Sequence, residues 1–184
     1  MIYPIQIIGL PVLRKKAKDI DKDYTDLPVF VENMWETMYS SDGVGLAAPQ
    51  IGKSIRLFVI DGTPMEEEDK KVKDFKKVFI NAVITERTGE KEAFTEGCLS
   101  IPNIREDVIR PTKIHIEYYD EDFNFHDEWY DGIAARIIQH EYDHTEGILF
   151  TDKIAPIKKR LLKRKLDSLT KGKFKVNYRY KLAK

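Results

Sequence analysis

Residues 140–144 read His-Glu-Tyr-Asp-His. Two histidines four apart leave one face of a helix and can converge on a single ion. Glu141 then projects beside that ion, placed to take a proton from a water the ion has made acidic. Ile137, Ile138, Leu149 and Phe150 flank the motif, so the helix is expected to be buried. Buried histidines and acids need a reason, and metal ligation supplies one where chance spacing does not. A hydrolytic ion takes a third protein ligand and keeps a fourth position for water. Cys98, Glu96, His115, His126 and any remote carboxylate qualify by type. Cys98 ranks first, because it stands in Glu-Gly-Cys-Leu-Ser beside a glycine that permits close backbone approach, and a thiolate suits a soft or borderline ion. The bland alternative is a small buried hydrophobe.

The elements that must hold these residues are legible in outline. Residues 132–145 carry Ile133, Ala134, Ile137, Ile138 and Tyr142 at helical spacing, with Gly147 as a stop. Residues 26–40 predict a second helix from Leu27, Phe30, Val31, Met34, Trp35 and Met38, with Thr25 or Asp26 as cap and Pro28 in the first turn. A third starts near Ala155, with Pro156 in its first turn and Ile157, Leu161, Leu162 and Leu169 as its buried stripe. Residues 1–24 read as an extended arm, and 43–52 as a tight loop. Strands are expected at 55–60, at 77–84, leading into Glu-Gly-Cys-Leu-Ser, and at 113–120, where Ile114, Ile116 and Tyr118 alternate with polar partners. Residues 123–131 return beside that last strand as a hairpin. Residues 61–76 look like a mobile surface insertion, and 174–182 leave strand and tail both open. Turns rather than helices separate the strands, which argues for an antiparallel α+β fold.

The chain of 184 residues has one domain's length, expected to span 1–184 with the basic helix and tail at 153–184 included. A single cysteine excludes an intrachain disulfide framework. The first twenty residues do not read as a signal peptide, since the basic cluster follows the apolar stretch and Pro4 and Pro11 interrupt it. No run approaches a membrane span, so the expectation is a cytoplasmic protein without membrane contact. Formal neutrality hides an asymmetry: residues 153–184 carry 13 Lys or Arg against Asp167 alone, a side-chain balance of +12, and the preceding 152 residues balance it at −12. A basic segment of this kind suits a polyanionic partner or a solvated face.

The three segments Gly-Val-Gly-Leu-Ala-Ala-Pro-Gln (43–50), Glu-Gly-Cys-Leu-Ser (96–100) and His-Glu-Tyr-Asp-His (140–144), in this order, closely resemble the signature motifs of bacterial-type peptide deformylases. The resemblance implies a compact α+β fold with antiparallel sheets around a central metal-binding helix, followed by a C-terminal helix. It implies Cys98, His140 and His144 as ligands of one divalent ion, Fe2+ by family habit, with Zn2+, Ni2+ or Co2+ as replacements. It makes Glu141 the general base and acid, and Gln50 and the Leu99 amide the stabilisers of the oxyanion. Val44, Gly45 and Gly97 are implied to pair with the peptide main chain. Val44, Ile133 and Ile137 are implied to form the methionine pocket, with Arg136 at its rim and Arg105 near its entrance. The implied reaction removes the formyl group from the initiator methionine of a nascent peptide, in a bacterial monomer whose basic helix docks on ribosomal RNA. Lys158, Lys159, Arg160, Lys163, Arg164 and Lys165 are the cations for that contact. Two departures from the family pattern, Thr145 after the last histidine and Ala82 after Asn81, lie away from the chemistry. The rival readings are a different zinc peptidase that cuts internal bonds and a ribosome-binding protein without catalysis.

Overall fold

The computed structural model describes residues 1–183, so the basic segment is followed to Ala183 and Lys184 lies outside the described residues. Among the described residues the chain runs β1 (Ile5–Gln6), α1 (Leu27–Ser40), β2 (Gly45–Ala47), β3 (Leu57–Asp61), β4 (Lys76–Cys98), β5 (Ile101–Tyr119), β6 (Phe125–Asp131), α2 (Gly132–Thr145), α3 (Pro156–Thr170) and β7 (Tyr180–Lys181). Strands β2 to β6 form one antiparallel sheet in sequence order. The small sheet is parallel: β7 returns from the end of the chain to pair with β1, Tyr180 opposite Ile5. The α+β expectation holds, with that parallel pair and an isolated parallel bridge between Lys18 and Ile55 as exceptions.

β4 and β5 are single long strands where the sequence suggests several pieces. Pro111 does not interrupt β5; its pairing with Lys91 falls beside a break in register, where proline is tolerated. A further irregularity separates the Gly97–Arg105 and Cys98–Ile101 pairs, so the hairpin turns immediately after Cys98.

Two apolar clusters fill the interior. One joins α1, the N-terminal arm and β2–β5 around Met34, Met38, Leu46, Ile80 and Phe150. The other packs Ala135, Ile137, Ile138 and Tyr142 of α2 against Phe58, Phe79, Ile114, Ile116 and Tyr118. Burying a side chain such as Ile138 in this way stabilises the fold by about 1.5–3 kcal/mol. α2 ends as expected: Gly147 takes φ +73°, and a Cβ there would stand 2.8 Å from the Arg14 backbone.

Four local expectations need correction. Residues 43–52 are not a plain loop, since Gly45–Ala47 pair with β3 and Ala48–Ile51 form a 3₁₀ turn. The 61–76 stretch is anchored: it holds two 3₁₀ turns, buries Val72, and lends the Asp69 carboxylate to the Ile133 N–H at the start of α2 (3.3 Å). The first helix begins without a side-chain cap from Asp26, which sits at φ +57°. On α3 only Leu169 is buried, Leu162 and Leu166 are half-covered, and Ile157 and Leu161 are 61% and 76% exposed. That helix buries apolar surface mainly in its C-terminal half; its first turn meets the domain through ion pairs of Lys158 and Lys159 and leaves Ile157 and Leu161 uncovered.

Candidate metal and catalytic site

α2 carries His140 and His144 one turn apart, and the turn after β4 brings Cys98 to them. The three ligand atoms lie within 4.8 Å of one another, with Cys98 Sγ 3.3 Å from His144 Nε2. Of the other third-ligand candidates, His115 lies against Asp127 and His126 against Asp120, both around β6. Glu96 serves differently. Its carboxylate receives His140 Nδ1 at 2.9 Å, which fixes the ring so that Nε2 turns toward Cys98. Arg110 holds that carboxylate by two contacts, Nε at 2.6 Å and Nη2 at 2.9 Å, and reaches Asp143 on α2 with Nη1 at 2.6 Å. Arg110 and Asp143 were not legible as site residues, since an arginine inside a long strand carries no motif and Asp143 reads as one more acid in the helix.

The donor set fits a divalent ion. One thiolate and two imidazoles form a soft-to-borderline set that accepts Fe2+, Zn2+, Co2+ or Ni2+. Among the described residues, Glu141 Oε2 is buried without a hydrogen-bond partner beside this cluster, while His144 turns Nε2 to Cys98 and leaves Nδ1 unpartnered on the far side of the ring. The two imidazoles diverge in basicity. Burial lowers His144, reinforced by the positive neighbours His140 and Arg110, whereas burial of His140 is outweighed by Cys98 and Glu96, which raise it.

Glu141 is fully enclosed, and burial pushes its carboxyl up to about 7, although His140 and Arg110 pull the other way. Its side chain lies directly over Gly45, where a Cβ would come within 2.6 Å of Glu141 Oε1. Strand β2 and the motif helix therefore touch at the Glu141 carboxylate through the lack of a side chain. Gln50 is oriented by its own turn: Oε1 accepts the Ala47 N–H at 2.8 Å, and Nε2 is left facing Cys98 Sγ (3.5 Å) and Ser100 Oγ (3.4 Å).

The remaining residues divide. Ile137 is buried in the second cluster, with Val44 and Ile133 packed at its edge. Ile133 and Arg136 line an open cleft with Phe94 and Pro111, bounded by Glu68 and Asp69 from the anchored insertion. Arg136 lines that cleft and is otherwise buried, its guanidinium tied to Glu96 Oε1, the Val108 carbonyl (3.0 Å) and the Glu92 carbonyl (2.8 Å). Gly97 pairs with Arg105, whose side chain runs within 3.3 Å of the place a Gly97 Cβ would occupy. Thr145 accepts Arg56 Nη1 and donates to the Tyr142 carbonyl, and Asn81 ties β4 to the arm through both backbone groups of Ile20.

A family model described as polypeptide deformylase matches residues 2–160. Peptide deformylase of Christiangramia forsetii is 58% identical, with 97% of this chain and 95% of that relative covered. Its counterpart in Flavobacterium psychrophilum is 53% identical over 99% of this chain and 97% of the relative. Among solved structures, a peptide deformylase from Legionella pneumophila superposes with a TM-score of 0.80 at 36% identity, covering 93% of this chain and 96% of the other. One from Thermotoga maritima gives 0.76 at 41% identity, covering 85% and 99%.

Proposed function

This chain belongs to the polypeptide deformylase family, and from that premise we propose how its residues share the reaction. The protein is a metal-dependent hydrolase acting on the N-formyl group of an initiator methionine; the convergence of Cys98, His140 and His144 carries that conclusion. When bound there, a divalent ion supplies an acidified water and polarises the formyl oxygen.

The chain's own groups do the rest. Glu141 takes the water's proton, a role its raised pKa and sealed position suit. A C–O bond forms at the formyl carbon, and the Leu99 N–H with Gln50 Nε2 meets the oxygen as charge develops on it. Glu141 returns the proton to the amine nitrogen as the C–N bond breaks, which leaves formate and a free amino terminus. Val44, Gly45 and Gly97 offer backbone groups to the substrate chain, with Arg105 beside them. Ile133, Ile137 and Val44 form the apolar wall for methionine, and Arg136 supports that wall from behind through Glu96. The whole chain, 1–184, acts as one catalytic unit.

Iron is the proposed working ion, in a cytoplasmic monomer of bacterial type. Anaerobically purified protein should contain about one ferrous ion per chain and release formate from a formyl-methionyl peptide, and should lose activity in air as the iron and Cys98 are oxidised. Predominant zinc, with an iron form that survives hours in air, would overturn the choice of metal. No helix of the described residues is long and apolar enough to cross a membrane.

The partner is the ribosome, which holds the only chains bearing this substrate. Support comes from α3, where Lys158 is engaged by Glu106 and Asp107 and Lys159 by Asp152, and Arg160, Lys163, Arg164 and Lys165 stand exposed beside Ile157 and Leu161. Such phosphate contacts are largely sequence-independent and weaken with salt. The parent should co-sediment with ribosomes at low salt and not at high salt, and changing these four cations to glutamine should abolish it. Equal co-sedimentation of parent and variant, or none by either, would remove the partner.

A further inference from the structure

The end of the chain reaches the Cys98 turn. After α3 the tail folds back along β1: Ile5 N–H donates to the Arg179 carbonyl (2.8 Å), Ile7 N–H to the Lys181 carbonyl (3.0 Å), and Asn103 Nδ2 to the Lys175 carbonyl (3.3 Å). Phe174, Tyr178 and Leu182 pack against the first apolar cluster from this tail. The hydroxyl of Tyr178 donates to the carbonyl of Leu99 at 2.8 Å, across 79 residues of sequence. All of these tail residues lie beyond the span the family model matches.

The place of that bond matters. Cys98, Leu99 and Ser100 form the turn that carries both a ligand and the Leu99 N–H. The turn is held on several sides: Cys98 Sγ by the histidine cluster, the Leu99 side chain against Gly43, and the Ser100 carbonyl by the Ile8 N–H at 2.9 Å. The Leu99 carbonyl lies in the peptide unit after its Cα and the Leu99 N–H in the unit before it, so the bond from Tyr178 anchors one side of the residue and limits how far the other can turn. We propose that Tyr178 is a positioning residue for catalysis, whose hydroxyl holds the Leu99 backbone so that its N–H points at the developing oxyanion. The inference rests on the assignment of the Leu99 N–H as an oxyanion donor. It does not require the tail to touch substrate. It makes residues 171–183 part of the active-site scaffold rather than an appendage of α3.

Tyr178→Phe removes one oxygen and keeps the ring in its packing. The test compares this variant with the parent and with Asn103→Gly, which loses a tail tether but neither the hydroxyl nor the φ of +60° at that position. Two readouts are needed: kcat and KM on a formyl-methionyl peptide, and hydrogen exchange at the Leu99 amide in zinc-loaded protein. The expected result for Tyr178→Phe is faster Leu99 exchange and a kcat lower by about three- to tenfold, the range that loss of one hydrogen bond represents. KM and metal content should be unchanged, and Asn103→Gly should match the parent in both readouts. Unchanged Leu99 exchange overturns the proposal. Equal losses in Asn103→Gly also overturn it, since general docking of the tail would then be the cause. Faster exchange with unchanged kcat would overturn the catalytic role and place the fault in the oxyanion assignment of Leu99, not in the Tyr178 contact. If Tyr178→Phe does not fold, Tyr178→Leu serves the same comparison, and failure of both to fold would make Tyr178 a folding residue and end the proposal.

Discussion

Glu96 Oε2 lies 2.9 Å from His140 Nδ1, and the same carboxylate is clasped by Arg110. One strand therefore delivers two groups two residues apart: Cys98 as a ligand and Glu96 as the group that orients another ligand. The alternation of β4 matters here, because residues two apart share a face of a strand, and both side chains reach the histidines of α2.

Removing the charge from this carboxylate should loosen the ion. In Glu96→Gln the apparent metal affinity is expected to fall by about 10–100-fold, as is usual when the partner of a ligating histidine is lost. Competition against a chelator of known affinity measures it. An unchanged affinity would show that His140 is oriented by its packing alone.

The same carboxylate should shape acid stability. Burial alone would raise Glu96, but hydrogen bonds from Arg110 and His140 outweigh it and hold the carboxyl well below the usual range. The folded pKa is thus lower than the unfolded one, so the unfolded chain binds the extra proton first as pH falls. The stabilisation is fully present above the ordinary glutamate pKa of about 4.3 and is lost as pH falls toward the folded value. In metal-stripped protein, the parent's Tm should drop more steeply between about pH 5 and pH 3 than that of Glu96→Gln. Parallel curves would refute this source of acid sensitivity.

Glu141→Gln should keep the fold and the ion and lose turnover by about 10²–10⁴-fold, the usual contribution of a placed acid–base group. Metal analysis and formate release give the two numbers. Loss of metal on the scale of His140→Ala would make Glu141 a ligand instead.

Gly45→Ala tests the close contact between β2 and α2. Its new Cβ would fall within 2.6–2.8 Å of the Glu141 Oε1, Cγ and Cδ atoms. Those atoms end a side chain, so they can move where backbone could not. The expected outcome is a small change in Tm with a kcat loss comparable to that of Glu141→Gln. Activity near the parent's would mean that Glu141 tolerates displacement.

The apolar wall can be tested by charge. Ile137→Asp puts a carboxylate at a position that is 7% exposed, so kcat/KM on formyl-methionyl peptide should fall by at least about tenfold, since burying an unpaired charge is costly. Metal content should hold. Equal rates for formyl-methionyl and formyl-aspartyl peptides with the parent enzyme would rule out an apolar pocket.

The sequence by itself pointed to Cys98, His140 and His144 as ligands, to Glu141 as a candidate base, and to the frame that carries them. His140 and His144 were readable because helical geometry ties spacing to direction, and Ile114, Ile116 and Tyr118 because a strand's alternation does the same. Local chain geometry alone sets both signals. What only the tertiary structure decided involves groups far apart in sequence. Glu96 could be named as a candidate ligand, but its role as the orienting partner of His140 depends on Arg110 reaching across the hairpin to Asp143 as well. The ion pair of Arg136 with Glu96 is hidden from the sequence for the same reason. The anchoring of residues 61–76 came from one buried valine and from Asp69 meeting the start of α2, in a segment whose composition is that of an exposed loop. Leu161 and Ile157 repeat at helical spacing and still face outward, because periodicity defines a stripe but not what lies against it. Tyr178 stands in a segment with no decisive pattern, and its contact with the Leu99 carbonyl exists only because β7 pairs with β1 and carries the tail back to the Cys98 turn.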